Sequence, residues 1–564
     1  MDGYEAIAKI LKKENVEWMA CFPSNPLIEA VAREGIRPIM FRQERGGIMA
    51  ADGYSRVKSG KSFGVFACQG GPGAENAYGA IAQAWADSVP LLFMPDGVSL
   101  METDVKPAFW ASRNYERITK WAESINSPER IVPLMRRAMH SLKNGRPGPV
   151  LLEMHRDSMT QEIDNLDNYS IPEESKVSPS DDDIFEAVGQ LVDAKNPIIW
   201  SGQGVLYANA TEELKELSDL LGLPVVTTMP GKSSFDERNP LSLGSANRTA
   251  PKSVWKWLGI SDTIFAIGSS LTKTNYGITI PEGKKIIHST NNYEDINKDY
   301  SVEIGLVGDS KIILQKMIEC VKSEFSKNQE NFQKYKMEVI EKIESTKKDW
   351  LKEWNTLLNS DMNPINPYRL INEINKNIDH ENSIITHDAG HPRDQIMPFL
   401  TSTVPASYLG WGKSTHLGYG IPLMIGAKMA EPNKFCLNFM GDGAFGMSGL
   451  DIETSVRSGN PITTVVMNNG TMGGYPARYP QSIEKFDTIK MTGNYATLAE
   501  GMGAKGIEVN SPEELKDFEG CFLTGTAAEV TPVSCIAENK FKVCEMIIDL
   551  NKSYQTLVKK KKAA

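Results

Sequence analysis

The sequence predicts an α/β protein with three domains, each built on a doubly wound parallel sheet. The chain has 564 residues, which is room for three domains of roughly 100–200 residues each. Short apolar runs alternate with longer helical patterns, as they do in βα units. This alternation occurs in three series that polar or proline-rich stretches separate. The series share no repeated sequence, so they predict similar domains and not a solenoid.

The first series predicts a domain over residues 1–165. Its apolar runs lie at residues 18–22, 38–41, 63–68, 91–94 and 150–154. Residues 163–183 then collect Asp, Asn, Ser and Glu together with Pro172 and Pro179. Because apolar periodicity is nearly absent there, these residues predict a linker.

The second and third series follow the same pattern. Runs at residues 197–200, 224–228, 263–267 and 285–287 predict a middle domain over 185–325. Residues 322–358 are charged and helical in pattern, and the Asn and Pro residues of 363–367 then interrupt the chain. A third domain is predicted over 365–520, with a C-terminal extension over 521–564.

Composition excludes several classes of protein. Hydrophobic residues make up 41% of the chain and charged residues 23%, which is typical of a globular protein and not of a disordered one. The net charge of −10 gives no overall attraction to nucleic acid or to an anionic membrane. No apolar run approaches the roughly 18 residues that span a bilayer, and the N-terminus lacks a signal-peptide pattern. Seven cysteines without metal-ligand spacing indicate free thiols. A cytoplasmic protein without nucleic-acid or membrane partners is therefore expected.

The strongest chemical signal is a predicted βαβ unit in the third domain. An apolar run at 435–440 precedes Gly441-Asp442-Gly443, and a second run at 462–467 ends in Asn468-Asn469-Gly470-Thr471. A right-handed crossover places both strands in one sheet, so Asp442 and Asn469 share its carboxyl edge.

The same unit predicts a metal and diphosphate site. Mg²⁺ prefers oxygen ligands that it shares with phosphate, so Asp442, Asn469 and the Thr471 carbonyl are its predicted ligands. Gly441 and Gly443 permit close approach of the backbone to a diphosphate. Either tripeptide alone is typical of a surface turn or loop, and it is their pairing that favours the site.

The spacing of Asp442 and Asn469, 27 positions apart, resembles the cofactor motif of the thiamin-diphosphate enzymes of the acetolactate synthase-like superfamily. Residues 42–47, 50–56, 70–76 and 145–150 look like the first domain of that family. The resemblance extends over about residues 1–515. It implies pyrimidine-binding, middle nucleotide-binding and diphosphate-binding domains, with thiamin diphosphate and Mg²⁺ as cofactors. It also implies a homodimer or homotetramer, because in the family the first domain of one subunit meets the third domain of another.

By this resemblance Glu44 is the glutamate that hydrogen-bonds the aminopyrimidine of the cofactor. A carboxyl group held there favours the imino tautomer, whose nitrogen takes the thiazolium C2 proton. A lone Glu between Gln and Arg would otherwise be typical of a solvated helix face. The remaining cofactor contacts follow from position in the motifs: Pro72, Asn76, Gly390, His391, Thr415, Leu417, Gly441, Asp442, Gly443, Ala444, Asn469, Thr471, Met472 and Gly473.

Two departures distinguish the chain from true acetolactate synthase. Phe-Gln-Glu is missing near residues 101–115, and the segment after Asn469 lacks that enzyme's tryptophan. Residues 114–121, 386–395 and 411–420 look most like prokaryotic 2-hydroxyacyl-CoA lyases, which are relatives of oxalyl-CoA decarboxylase. That resemblance implies cleavage of a 2-hydroxyacyl-CoA into formyl-CoA and an aldehyde or ketone, and the reverse acyloin condensation.

Two alternatives stay open. The first is an acetolactate synthase-like carboligase or decarboxylase that acts on pyruvate or glyoxylate. The second is a scaffold that binds a nucleotide or cofactor without catalysis. His416 is a candidate proton shuttle for the substrate hydroxyl, although a packed or solvent-facing role explains it equally well.

The middle domain is expected to bind ADP or the ADP part of CoA, as it does in the lyase relatives. Gly202-Gln203-Gly204 follows the run at 197–200, which suits close approach to phosphate, although two glycines after a strand are common. The predicted contacts are Gly202, Gly204, Thr290, Asn291 and Asp309. FAD and pyridoxal phosphate are not expected. Residues from about 520 onward are similar to the end of branched-chain aminotransferases, and they predict either a lid over the CoA site or a fusion remnant without a role.

Overall fold

The structure is a computed structural model. It describes residues 1–164, 166–274, 276–473, 475, 477–512 and 514, together with the backbone of four short strands beyond them. These strands are β17 to β20, at Cys521–Leu523, Thr531–Val533, Cys535–Ile536 and Asn539–Lys540. Apart from these strands, the predicted C-terminal lid lies outside the described residues.

The first domain is a six-stranded parallel sheet in the order β2-β1-β3-β4-β6-β5. Its inner strands are buried on both faces, as expected where helices cover a parallel sheet. The strands β1 to β6 are Trp18–Cys21, Arg37–Met40, Gly64–Cys68, Leu91–Gly97, Trp121–Ile125 and Pro149–His155. The helices α1 to α7 are Gly3–Lys13, Leu27–Arg33, Glu44–Val57, Pro72–Ala86, Ala111–Asn114, Ile131–Lys143 and Arg156–Met159.

The middle domain is a second six-stranded parallel sheet, in the order β12-β11-β10-β7-β8-β9. Its first helix begins at Asp181, inside the predicted linker, because the Ser180 hydroxyl accepts a hydrogen bond from the Asp183 N–H and caps the helix. The strands β7 to β12 are Pro197–Ser201, Val225–Thr228, Ser242–Ala246, Thr263–Ile267, Lys285–Thr290 and Ile304–Val307. The helices α8 to α13 are Asp181–Asp193, Gln203–Tyr207, Thr211–Leu221, Lys252–Ile260, Ser310–Glu324 and Gln329–Leu358.

The third domain has four parallel strands in the order β14-β13-β15-β16. The strands β13 to β16 are Ser383–His387, Tyr408–Leu409, Phe435–Gly441 and Thr463–Met467. The helices α14 to α20 are Pro367–Asn377, His391–Ile396, Gly420–Ala430, Asp442–Ser448, Asp451–Ser458, Pro480–Phe486 and Tyr495–Gly501. The predicted fold class, three parallel-sheet α/β domains, is confirmed.

The first and third domains share one hydrophobic core. Helix α3 of the first domain and helix α16 of the third pack so closely that glycines of each helix contact the backbone of the other. A Cβ added to Gly53 would lie 2.1 Å from the Leu423 carbonyl oxygen, and one added to Gly426 would lie 1.8 Å from the Ala50 carbonyl oxygen. These two glycines therefore set the separation of the two helices. None of the described helices is both long enough and apolar enough to cross a membrane.

Candidate active site

Three loops meet at the carboxyl edge of the third sheet. They follow β13, β15 and β16, which are neighbours in the sheet. A Cβ on Gly443 would lie 2.8 Å from the Met472 Cε, and one on Gly473 would lie 3.5 Å from the His391 ring. The prediction that β15 and β16 share one sheet is confirmed by their parallel pairing. The loop residues predicted to hold a diphosphate therefore lie together.

Asp442 fits a hard cation at this edge. Its side chain is 3% exposed, and its Oδ1 accepts a hydrogen bond from the Gly443 N–H at 2.9 Å. Its Oδ2 is buried without a hydrogen-bond partner, which is costly unless a cation or donor binds there. Asn469 is exposed, and its Oδ1 accepts from the Thr471 N–H at 3.1 Å. The Asp442 carboxylate thus fits a cation site, and the roles of Asn469 and of the Thr471 carbonyl as further ligands remain predictions.

The absence of a denser acidic or histidine cluster is consistent with this kind of site. In the part of the chain that the structure describes, no group of three or more His, Cys, Asp and Glu side chains could hold a metal ion. A cation that shares its ligands with phosphate needs only part of its shell from the protein. The donor set at Asp442 and Asn469 has that incomplete character.

Glu44 lies at the edge of the first domain, where it is the first residue of α3. Its side chain is 5% exposed, and its Oε2 accepts a hydrogen bond from the Asn76 Nδ2 at 2.6 Å. Its Oε1 lies 3.2 Å from the position of a Cβ on Gly73. Pro72 begins α4, the helix that carries Asn76. The structure thus brings Glu44, Pro72 and Asn76 together, as the motifs predicted.

The residues beside Glu44 contact the third domain of the same chain. The Arg45 guanidinium donates to the Leu417 carbonyl at 3.2 Å, and the Gln43 amide donates to the Met447 carbonyl at 3.0 Å. Leu417 lies just before α16, which begins at Gly420. The residues on either side of Glu44 therefore contact the third domain, and we use the name interdomain cleft for the boundary between Glu44 and the loop that carries Thr415 and Leu417. The expected pairing of these domains between subunits remains a prediction.

His416 packs into the wall of that cleft. The Arg45 guanidinium donates to its Nδ1 at 3.1 Å, and its Nε2 would lie 2.2 Å from a Cβ on Gly79. Burial, with the charge of Arg45, lowers the pKa of His416. A neutral ring with Nδ1 as acceptor satisfies this contact. Its role as a proton shuttle remains a prediction.

Asp388 was not among the predicted site residues, yet it holds the loop between β14 and α16 in place. We call this loop, residues 410–419, the cofactor loop because it carries the predicted cofactor contacts Thr415 and Leu417. Its buried carboxylate accepts hydrogen bonds from the Gly418 N–H at 3.0 Å and the Gly420 N–H at 2.9 Å. Burial raises the pKa of Asp388 to about 6, and these backbone hydrogen bonds oppose the rise. Asp388 directly follows β13, at the same sheet edge as Asp442, so only recognition of that strand, which the sequence pattern did not predict, would have identified it.

A cavity of about 750 Å³ lies between the three domains at the carboxyl edge of the middle sheet. All five predicted nucleotide contacts line it: Gly202, Gly204, Thr290, Asn291 and Asp309. The N–H of Gly202 donates to Ile267 at 2.9 Å, and that of Gly204 donates to Gly268 at 2.8 Å. Both N–H groups therefore donate to backbone carbonyls of the protein itself. The expected role of the two glycines in close approach to a phosphate remains a prediction.

Lys413 connects this cavity to the cofactor loop. It lines the cavity, and its ammonium group donates to the Ser270 hydroxyl at 3.0 Å. Its backbone N–H donates to Asp87 of the first domain at 3.0 Å, and Asp87 also pairs with the buried Arg56 at 2.9 Å. Burial, with the nearby charge of Arg146, lowers the pKa of Lys413 to about 8. Sequence reasoning missed this lysine because its contacts come from other domains.

Sequence models of three domain families match the chain. Residues 1–109 match the N-terminal TPP binding domain of thiamine pyrophosphate enzymes, residues 184–317 the central domain, and residues 388–520 the C-terminal TPP binding domain. The chain belongs to the thiamine pyrophosphate enzymes. This membership confirms the family inferred from the Asp442 and Asn469 motif and supports thiamin diphosphate (thiamine pyrophosphate) as the cofactor of this enzyme.

Several similar curated proteins are named acetolactate synthase. A probable acetolactate synthase large subunit from Methanococcus aeolicus is 30% identical over 540 residues, which are 92% of this chain and 89% of that protein. The acetolactate synthase large subunit of Corynebacterium glutamicum is 28% identical over 91% of this chain and 83% of its own length. The mitochondrial acetolactate synthase catalytic subunit of Saccharomyces cerevisiae is 26% identical over 91% of this chain and 78% of its own length. These names match the carboligase alternative better than the expected 2-hydroxyacyl-CoA lyase.

Proposed function

We propose that this enzyme forms or cleaves a carbon–carbon bond next to the carbonyl of a 2-oxo acid such as pyruvate or glyoxylate, as an acetolactate synthase-like carboligase or decarboxylase. The observation that carries the proposal is the buried Glu44 carboxylate, which Asn76 holds at 2.6 Å beside the cofactor loop of the third domain. Relatives named acetolactate synthase match nine tenths of the chain, and they support a 2-oxo acid as the substrate.

The residues of the chain would divide the work between binding and proton transfer. When bound, thiamin diphosphate supplies a carbon nucleophile and accepts the electron pair of the bond that breaks. The Glu44 carboxylate would exchange a proton with the aminopyrimidine ring, and the hydrogen bond from Asn76 orients it for that exchange. The Asp442 carboxylate, with Asn469 and Thr471, would hold the Mg²⁺ that neutralises the diphosphate. The Leu417 side chain would contact the bound cofactor.

The middle cavity supports a nucleotide as a further ligand. Its volume of about 750 Å³ lies within the range of roughly 300–1,000 Å³ that small-molecule sites occupy. Lys413 and Arg146, which line it, would attract a phosphate-bearing ligand. ADP or the ADP part of CoA therefore remains our proposal for this cavity.

A second candidate function is the 2-hydroxyacyl-CoA lyase that the sequence first suggested. The observation in its favour is the loop 413–417, which runs from the middle cavity to the cofactor cleft. A substrate anchored by its ADP part beside Lys413 would extend along this loop toward Leu417. A 2-oxo acid needs no such anchor, so the two functions differ in their need for CoA.

The test compares both substrates with one preparation. The purified chain, with thiamin diphosphate and Mg²⁺, is given pyruvate in one reaction and a short 2-hydroxyacyl-CoA in another, and CO₂, acetolactate and formyl-CoA are quantified. CO₂ with or without acetolactate supports the proposal. Formyl-CoA together with an intact pyruvate pool would replace it with the lyase function. Assembly as a homodimer or homotetramer belongs to the same proposal, and light scattering of the eluted holoenzyme tests it.

A further inference from the structure

The helix that carries Glu44 begins without a cap from its own segment. Glu44 is the first residue of α3, and the Gln43 side chain before it makes no capping hydrogen bond. The first N–H groups of a helix have no partner within the helix, and they carry a partial positive charge. In a buried helix end these groups need a partner from elsewhere in the protein.

A carboxylate of the third domain lies at this helix end. The side chain of Asp451 is 1% exposed, and its Oδ1 accepts a hydrogen bond from the Arg42 N–H at 3.0 Å. Its Oδ2 lies so close to Gly46 that a Cβ there would come within 2.3 Å of it. Oδ2 also has no hydrogen-bond partner. The negative charge thus lies over the first turn of α3, on the same turn as Glu44.

The contacts around Asp451 extend along the whole segment before α3. The Arg37 guanidinium donates to the Ser458 carbonyl at 2.6 Å. In the opposite direction, the Arg457 guanidinium donates to the Met40 carbonyl at 2.6 Å. Helix α18 therefore holds β2 and the loop to Glu44 from outside the first domain. The residue at the centre of this contact is Asp451.

We propose that Asp451 is a positioning residue for Glu44: across the domain boundary it holds the Arg42 N–H two residues before α3 and places its carboxylate against the first turn of that helix, and it thereby fixes the Glu44 carboxylate in the place where Asn76 binds it. The inference rests on the proposed role of Glu44, but it does not depend on which substrate the enzyme uses. A helix start that loses its anion and its contact at Arg42 is free to shift. A shift of about 1 Å at a catalytic group costs roughly 100-fold in rate.

The test measures hydrogen–deuterium exchange at C2 of bound thiamin diphosphate, which needs no substrate. Asp451→Ala is expected to slow this exchange and kcat by about 10- to 100-fold, while KM for the substrate changes less than about twofold because Asp451 is not in the substrate cleft. Asp451→Asn retains an oxygen for the Arg42 N–H but loses the charge, so its exchange rate should lie between those of wild type and Asp451→Ala. The matched control is Val456→Ala on the same helix, because the Val456 side chain is 45% exposed and makes none of the contacts to Arg37, Met40 or Arg42. It should exchange at the wild-type rate.

A double mutant separates positioning from general damage. Gly46→Ala places a methyl group where the Asp451 carboxylate lies, so it should slow the exchange as Asp451→Ala does. If both act through one contact, Asp451→Ala/Gly46→Ala is no slower than the slower single variant. Two controls check that each variant is folded and loaded with cofactor. Quenching of tryptophan fluorescence measures the affinity for thiamin diphosphate, and the melting temperature measures stability.

Three results would overturn the inference. Wild-type exchange in Asp451→Ala, with slow exchange in Glu44→Gln, would refute the positioning role alone. Slow exchange that follows only from a loss of loaded or folded enzyme would assign Asp451 to domain docking. Equal exchange in wild type and Glu44→Gln would refute the role of Glu44, and with it this inference.

Discussion

Replacement of Gly53 by alanine tests whether the contact between α3 and α16 positions the active site. The added Cβ would lie 2.1 Å from the Leu423 carbonyl oxygen, and 2.9 Å and 3.1 Å from the carbonyl carbon and Cα of the same residue. These are backbone atoms, so no rotamer change relieves the overlap. The two helices must move apart until the contact reaches at least 3.0 Å, a displacement of about 0.9 Å.

The displacement has a cost in stability and a larger cost in rate. Overpacking of this kind lowers the free energy of unfolding by about 1–3 kcal/mol. A small shift of α3 relative to α16 relieves part of this cost. Because Glu44 begins α3 and the cofactor loop precedes α16, the shift opens the cleft between them. A misplacement of about 1 Å reduces the rate by roughly 100-fold. We expect Gly53→Ala to melt a few degrees lower and to turn over about 100-fold more slowly.

The assay is product formation under saturating thiamin diphosphate and Mg²⁺, with the melting temperature measured on the same preparation. Gly189→Ala is the matched control, since Gly189 lies in helix α8 and a Cβ there meets nothing within 4 Å. That variant should keep full activity and gain up to about 1 kcal/mol in stability. Full activity in Gly53→Ala would show that the separation of α3 and α16 does not position Glu44.

Three further predictions follow from the cleft and the cavity. Asp442→Ala should weaken the Mg²⁺-dependent affinity for thiamin diphosphate by more than about tenfold, or 1.4 kcal/mol, because it removes the buried carboxylate at the carboxyl edge of the third sheet. An unchanged affinity in a titration would refute the predicted Mg²⁺ and diphosphate site. Asn76→Ala should slow C2 exchange by roughly tenfold or more, since its amide holds Glu44 at 2.6 Å, and an unchanged exchange rate would show that the hydrogen bond is dispensable. Burial lowers the pKa of Lys413 to about 8, so its positive charge is present below pH 8 and is lost above it. The affinity for ADP should therefore fall up to about tenfold between pH 7 and pH 9, and calorimetry should find this dependence absent in Lys413→Met.

Sequence reasoning predicted the inner strands better than the edges of the sheets. The strands it missed are mostly the outer ones, β5, β9, β12 and β14. Most of these strands contain small or polar residues that break the apolar pattern, such as Glu123 and Ser124 in β5 and the serines of SLGSA in β9. The inner strand β13 was missed for a similar reason. It has only two apolar residues, Ile384 and Ile385, and polar residues surround it on both sides.

The site could be predicted where it follows from chain order, and not where it follows from domain docking. Asp442 and Asn469 belong to one βαβ unit, so the crossover rule alone brings their strands together. Asp451 reaches Arg42 across 409 positions, and Lys413 reaches Asp87 across 326. No periodicity in the sequence encodes such contacts, because they depend on how two finished domains pack. The names of the relatives favour the 2-oxo acid over the acyl-CoA that the individual motifs had favoured, and the choice between them stays a proposal.

The central claim is that Glu44 activates thiamin diphosphate in the cleft between the first and third domains. The most direct measurement is the rate of hydrogen–deuterium exchange at C2 of the bound cofactor, by rapid quench and NMR, in wild type and in Glu44→Gln. A general acid–base residue contributes about 10²–10⁴-fold, so we expect exchange to slow by that factor in the variant while the cofactor remains bound. Equal exchange rates in two fully loaded proteins would contradict the account.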